Sequence, residues 1–213
     1  MALGSLIAGF LLAASAGPVD SVVTRLEHRY NSAQSLSASF VEQYRFQGRA
    51  RPTESGRVSL RKQGKMRWDY TEPAGKLFIS DGKTVFLYTS GDNRVEKIPL
   101  KSTEDMRAPL AFLLGHLDVK KDFRDLRVRD GNGGEWLEGA AKSDRVPYGR
   151  MAMLIGPDGA VRQLKVYERD ESEMEFAFTD EKLNSVLPDK MFHFEIPPGA
   201  EVVTSMEFGS QER

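Results

Sequence analysis

Residues 56–88, GRVSLRKQGKMRWDYTEPAGKLFISDGKTVFLY, read as four consecutive β-strands joined by tight connections. In the first, Val58, Leu60 and Lys62 point one way while Arg57, Ser59 and Arg61 point the other. In the second, Met66, Trp68 and Tyr70 alternate with Lys65, Arg67 and Asp69, the period of two expected of a strand. Glu72-Pro73 ends that strand, because proline cannot donate to a sheet ladder. The third and fourth, 76–80 and 84–88, are joined through Asp81-Gly82, a hairpin signal that predicts positive φ at both residues. Leu77 and Ile79 oppose Phe78, and Val85 and Leu87 oppose Phe86 and Tyr88, so these strands are apolar on both faces. A meander buried on both faces needs a covering element on each side, or a cavity on one.

Outward from this stretch the pattern stays mostly β. Upstream, Val19, Val22, Val23, Leu26 and Tyr30 share one face at helical spacing, with Asp20 or Ser21 as cap. A long strand follows over 36–46, in which Glu42 is the one misfit on the apolar face, and 48–55 is a polar, basic loop. Downstream, 94–99 is a further strand. Met106, Leu110, Leu113, Leu114 and Leu117 then form a helical stripe with Pro109 in a first turn. Asp118 is placed to cap a second short helix carrying Val119, Phe123 and Leu126. These helices interrupt a chain of strands and are expected to cover something. Strands resume at 126–129 and 136–138 around the turn at 131–134. Residues 151–155 and 161–168 form a hairpin across Gly156-Pro157-Asp158-Gly159. Met174, Phe176 and Phe178 alternate with acids, and Phe192, Phe194 and Ile196 close the series. The fold class is therefore mainly β (α+β), an antiparallel meander curling toward a barrel.

At 213 residues the chain suits one domain with a sizeable core. Thirty Lys and Arg against 31 Asp and Glu argue against a nucleic-acid binder working through a basic face. Cysteine is absent, which removes disulfides, thiol nucleophiles, cysteine-ligated zinc and a lipid-modified N-terminal cysteine. Residues 1–16 carry no charged side chain and end in Ala14-Ser15-Ala16, the form of a signal-peptidase site. The expectation is a signal peptide over 1–16, removed on export, and one soluble domain over 17–213.

Nothing reads as a site of catalysis. His28, His116 and His193 fall on separate elements. His193 and Glu195 share one predicted strand face, but a third metal ligand is not near in sequence, so no metal site is expected. Gly131 to Gly134 lacks the strand–helix context of a phosphate loop, and Asp122, Asp125 and Asp130 read as helix and turn surface. What the chain offers is apolar surface, and a filled core and a cavity wall have the same sequence signature. Met66, Met106, Met151, Met153 and Met174 suit an adaptable pocket, because thioether side chains repack around varied apolar ligands.

The run from Gly56 through Lys65-Met66-Arg67-Trp68, Glu72-Pro73 and Ser80-Asp81-Gly82-Lys83 to Tyr88 resembles the outer-membrane lipoprotein carrier (LolA) family. The likeness extends weakly to Ala38-Ser39-Phe40 and to Phe192-His193-Phe194-Glu195-Ile196-Pro197-Pro198-Gly199. It implies an incomplete antiparallel β-barrel with an α-helical lid over an apolar cavity that holds lipoprotein acyl chains. It further implies a monomer without cofactor in the periplasm, serving outer-membrane biogenesis as a lipoprotein-transport chaperone. The implied partners are acylated lipoproteins, an inner-membrane ABC exporter (LolCDE) and an outer-membrane receptor (LolB). On that reading the cavity wall falls to Phe40, Val58, Leu60, Met66, Trp68, Phe78, Phe86, Leu110, Leu113, Leu114, Met151, Met153 and Phe176. The family usually shows Arg-Pro where this chain has Lys62-Gln63, and its arginine bonds lid backbone. Lys62 is thus the lid-lock candidate, expected to reach carbonyls near Leu114 to Leu117. Two other readings stand beside this one: a protein of the same fold that binds or senses a different lipid, and a secreted hydrolase using His193 and Glu195.

Overall fold

The computed structural model describes residues 17–100, 114, 117–144, 146 and 148–204. Helix α1 (Pro18–Ser32) has proline in its first turn and buries Val22, Val23, Leu26 and Tyr30. Seven strands follow it: β1 (Ser35–Phe46), β2 (Arg49–Ala50), β3 (Glu54–Arg61), β4 (Lys65–Glu72), β5 (Lys76–Asp81), β6 (Thr84–Thr89) and β7 (Arg94–Pro99). A one-turn helix α2 (Val119–Asp122) leads into β8 (Phe123–Gly131), β9 (Gly134–Ala141), β10 (Tyr148–Ile155), β11 (Val161–Glu168) and β12 (Ser172–Leu183). A 3₁₀ turn (Asp189–Phe192) and β13 (Glu201–Thr204) complete the described chain.

These strands form one open, curved sheet in the order β13-β7-β6-β5-β4-β3-β1-β12-β11-β10-β9-β8, with β2 paired to β1. Neighbours are antiparallel except β13, which runs parallel to β7. β1 is the hinge of the topology, pairing β3 on one side and β12 on the other. Across β1, β3 and β4, Phe40 faces Gly56 and Gly56 faces Tyr70. The two aromatic rings meet edge-on at 5.1 Å. A Cβ at Gly56 would fall 2.0 Å from the Asp69 carbonyl oxygen, so the strands approach there only because the residue is glycine.

The four strands of the opening stretch form as read, with one correction at the hairpin. Its central residues are Gly82 and Lys83, and Gly82 alone takes positive φ (96°). Asp81 instead ends β5 and folds its carboxylate over the turn, accepting from Lys83 N at 2.7 Å and Thr84 N at 2.8 Å. Asp118 caps α2 as expected, accepting from Lys121 N at 3.0 Å. The helix stops after one turn, however, and Phe123 and Leu126 belong to β8. A register shift between Arg124 and Arg127, with Asp125 at φ 56°, breaks the period there and gave helical spacing to strand residues.

Both faces of β3 to β6 are covered, as their composition demands. The concave side holds the main core. The convex side is strapped by the segment after β12. Arg61 Nη1 donates to the Leu187 carbonyl at 2.8 Å, Arg67 Nη1 to that of Met191 at 3.1 Å, and Phe194 lies 5.3 Å from the Phe86 ring. Phe192 to Ile196 is therefore not a strand: the 3₁₀ turn and irregular chain lay these aromatics on the sheet instead. The leucine-stripe helix expected around Met106, Leu110 and Leu113 lies outside the described residues. Leu114 and Leu117 are described, and both are buried in the main core.

Candidate functional site

Inward-facing side chains line up across the sheet in two long rows. One reads Ala38, Val58, Trp68, Phe78 and Leu87 from β1 to β6. The other reads Phe176, Leu164, Met153, Leu137 and Val128 from β12 to β8. Phe40, Val58, Leu60, Met66, Trp68, Phe78, Leu114, Met151, Met153 and Phe176 all sit in this one cluster. Trp68 is its centre, with Phe40 at 4.7 Å and Phe176 at 5.5 Å between ring centroids. Its indole Nε1 is buried and has no hydrogen-bond partner among the described residues. Phe86 is a correction. It faces Ile79 on the convex side and packs at a tilt against Phe194, away from the cluster. Both faces of β6 are apolar, so period alone assigned it wrongly.

Among the described residues the concave face is covered by α1. Its apolar stripe packs into the cluster while its polar residues are fastened to surrounding elements. Arg25 pairs with Glu135 of β9, and Glu27 Oε1 accepts from Val119 N at 2.8 Å. Arg29 Nη2 lies 2.6 Å from Glu181 Oε1 of β12. Tyr30 donates to Glu181 Oε2 at 2.7 Å and accepts from Val161 N at 2.9 Å. Burial, and then the Glu181 carboxylate, push the Tyr30 phenol far above its ordinary value, so it remains a donor at any ordinary pH. Sequence reading missed this network, because Glu181 and Arg29 look like surface charges until Tyr30 is seen between them.

Lys62 also reaches a different target from the one expected. β3 ends at Arg61, where the turn through Gln63 (φ 71°) and Gly64 (φ 73°) begins. Lys62 N donates to the Gln34 carbonyl at 3.2 Å and Nζ to the Asn31 carbonyl at 3.3 Å, in the last turn of α1. The contact to residues 114–117 is made by Asn31 itself, whose side chain pairs with the backbone of Leu117. Arg61 faces the convex side, as the period predicts, and grips the strap.

Among the described residues, α1 packs closely onto the end of the sheet near Leu36 and Leu60. The crevice between Tyr30, Leu36, Leu60, Val161, Phe178 and Glu181 has a volume of about 10 Å³, close to the minimum for a single water. His193 is exposed and, with Glu195, lies in irregular chain rather than on a strand face. Among the described residues no group of three or more His, Cys, Asp or Glu is placed to hold a metal.

Residues 31–195 match the protein family described as outer membrane lipoprotein carrier protein LolA. The outer-membrane lipoprotein carrier protein of Chromobacterium violaceum is 25% identical over 202 residues, covering 93% of this chain and 96% of that one. The Pseudomonas aeruginosa protein of the same name is 26% identical over 201 residues, covering 92% and 95%. Among solved structures, a conserved protein of Thermus thermophilus shares the fold with a TM-score of 0.51 at 16% identity, over 86% of this chain and 97% of that one.

Proposed function

The chain belongs to the LolA family of outer-membrane lipoprotein carriers, and from that premise we propose that it takes up the acyl chains of lipoproteins released from the inner membrane and delivers them to the outer membrane. The observation that carries this reading is the continuous apolar concave face, covered among the described residues by α1, which packs an apolar stripe into it and is fastened by polar contacts at its margins. On this reading that cover lifts from the sheet to admit cargo. Its buried stripe of Val22, Val23, Leu26 and Tyr30 exposes a face rich in Phe, Met and Trp when it does.

The energetics suit carriage. Burying an acyl chain is worth about 0.8 kcal/mol per CH₂, so exposing one long chain to water costs roughly 10 kcal/mol. A soluble apolar groove offsets most of that and lets acylated protein cross an aqueous gap. No bond is made or broken, so the role requires no catalytic group. On this reading residues 1–16 are a leader removed on export, 17–213 is the mature periplasmic domain, and an inner-membrane exporter and outer-membrane receptor are its partners.

The test is saturable binding of an environment-sensitive apolar dye to the protein over 17–213, displaced by a diacylated lipopeptide. Displacement by the lipopeptide, and not by the same peptide without acyl chains, supports the reading. No saturable binding of the dye would make the concave face a filled core.

A further inference from the structure

The concave face does not end in apolar residues on the side away from Leu36 and Leu60. It runs into a polar mouth of about 230 Å³, lined by Glu42 and Tyr44 of β1, Arg51 and Pro52, Glu54 of β3, Lys76 of β5 and Met174 of β12. Met174 belongs to the core cluster and Tyr44 packs against it, so mouth and apolar face are continuous. Glu42 is 3% exposed, and its Oε2 accepts from Tyr70 Oη at 2.8 Å.

Glu42 and Glu54 face each other directly across the β1–β3 ladder. Like charges in that position are destabilising, and the fold surrounds them with partners instead of replacing them. Lys76 pairs with Glu54 and lies 4.4 Å over the Tyr70 ring. Arg51 is held 4.5 Å over the Tyr44 ring, on a connection that Gln43 Nε2 fastens by donating to the Arg51 carbonyl at 2.5 Å. Among the described residues, the lining of the mouth therefore carries two carboxyl groups and two basic groups, equal in number. That balance suits a ligand with uncharged donors and acceptors, since a free carboxylate or a phosphate would need surplus positive charge.

We propose that this mouth receives the ester and amide groups and first peptide bonds of an acylated polypeptide while its acyl chains occupy the concave face. Lys76 and Arg51 donate to carbonyl oxygens, and Glu54 accepts from peptide N–H groups. The proposal rests on the carrier reading and adds a specificity to it: acylated peptide is preferred to free fatty acid of equal chain length because only the former fills the mouth.

The experiment compares wild type with Glu54→Leu/Lys76→Leu, which removes an acceptor and a donor without changing net charge, and with Arg51→Leu. Retained circular dichroism and melting curves establish folding. The probes are a dipalmitoylated lipopeptide, palmitate and an apolar dye. The expected result is a loss of about three- to tenfold in lipopeptide affinity per variant, the scale of one or two hydrogen bonds, with dye and palmitate unchanged. Equal loss for all three probes, or for none, overturns the proposal and leaves the carrier reading standing. A loss confined to palmitate would make the mouth a carboxylate site and overturn it too. If wild type binds neither lipopeptide nor dye, the carrier reading fails and this inference fails with it.

Discussion

The side-chain amide of Asn31 closes on both backbone groups of Leu117: Nδ2 donates to its carbonyl at 2.9 Å and Oδ1 accepts from its N–H at 2.7 Å. The last turn of α1 is thereby joined to residues 117–119, where Val119 N adds its bond to Glu27. Since the Asn31 carbonyl also accepts from Lys62, one residue links the cover helix, the chain before α2 and the β3–β4 turn.

Asn31→Ala removes both bonds and is expected to cost about 1–3 kcal/mol, or some 2–4 °C in Tm per kcal/mol at this size. On the carrier reading the clamp is lost when α1 lifts to admit cargo, so the variant should bind an apolar dye more tightly while melting earlier. Asn31→Asp keeps the acceptor and loses the donor, so it should fall between. Dye titration and a thermal melt on the same samples check this; a lower Tm with unchanged dye affinity would make the clamp structural only.

Lys62 places a positive charge at the carbonyl end of α1, where cations are stabilising. Lys62→Leu should weaken the closed state by about 0.5–1 kcal/mol, giving tighter loading and slower release. Lys62→Arg keeps the charge and should transfer cargo as wild type does. The readout is transfer of a loaded lipopeptide to acceptor vesicles. Unchanged loading and transfer in Lys62→Leu would leave closure to Asn31 and apolar contacts.

Tyr30→Phe deletes the hydroxyl that both donates to Glu181 and accepts from Val161. It strands a buried backbone N–H and removes one partner of a nearly buried carboxylate. The expected loss is about 2–3 kcal/mol, measured by urea denaturation with an unchanged m-value.

Asp189, on the strap, is held below its ordinary carboxylate value of 3.8 by hydrogen bonds from Lys65 and Arg61 and by their charges. A carboxyl lowered on folding contributes stability that is present above 3.8 and disappears as pH falls through its lower folded value. Asp189→Asn should therefore be the less stable protein at neutral pH, by a small margin because the site is exposed. The two stability curves should converge below 3.8. Parallel curves down to acid unfolding would remove this pair from strap docking.

Much of the architecture was legible because period-two burial leaves a mark in composition. β3 to β6 and the buried stripe of α1 follow from spacing alone, and the doubly apolar meander called for a cover on each side or a cavity on one. The cover's identity was not legible. Phe192, Phe194 and Ile196 alternate like a strand, yet they are bracketed by Pro188 and Pro197-Pro198 and settle on the sheet as loop. The clamp was hidden for a different reason. An asparagine near a helix end reads as a terminator, and only the tertiary approach of Leu117, 86 positions later, shows what its amide does. Glu42 looked like a misfit because its partner, Tyr70, sits two strands away across a glycine.

Native mass spectrometry of the protein over 17–213, mixed with a diacylated lipopeptide and with the same peptide lacking acyl chains, tests the carrier account most directly. The account predicts a one-to-one complex with the acylated peptide that survives gentle desolvation, and bare protein with the unacylated one. Bare protein in both mixtures, or equal complexes in both, would contradict it.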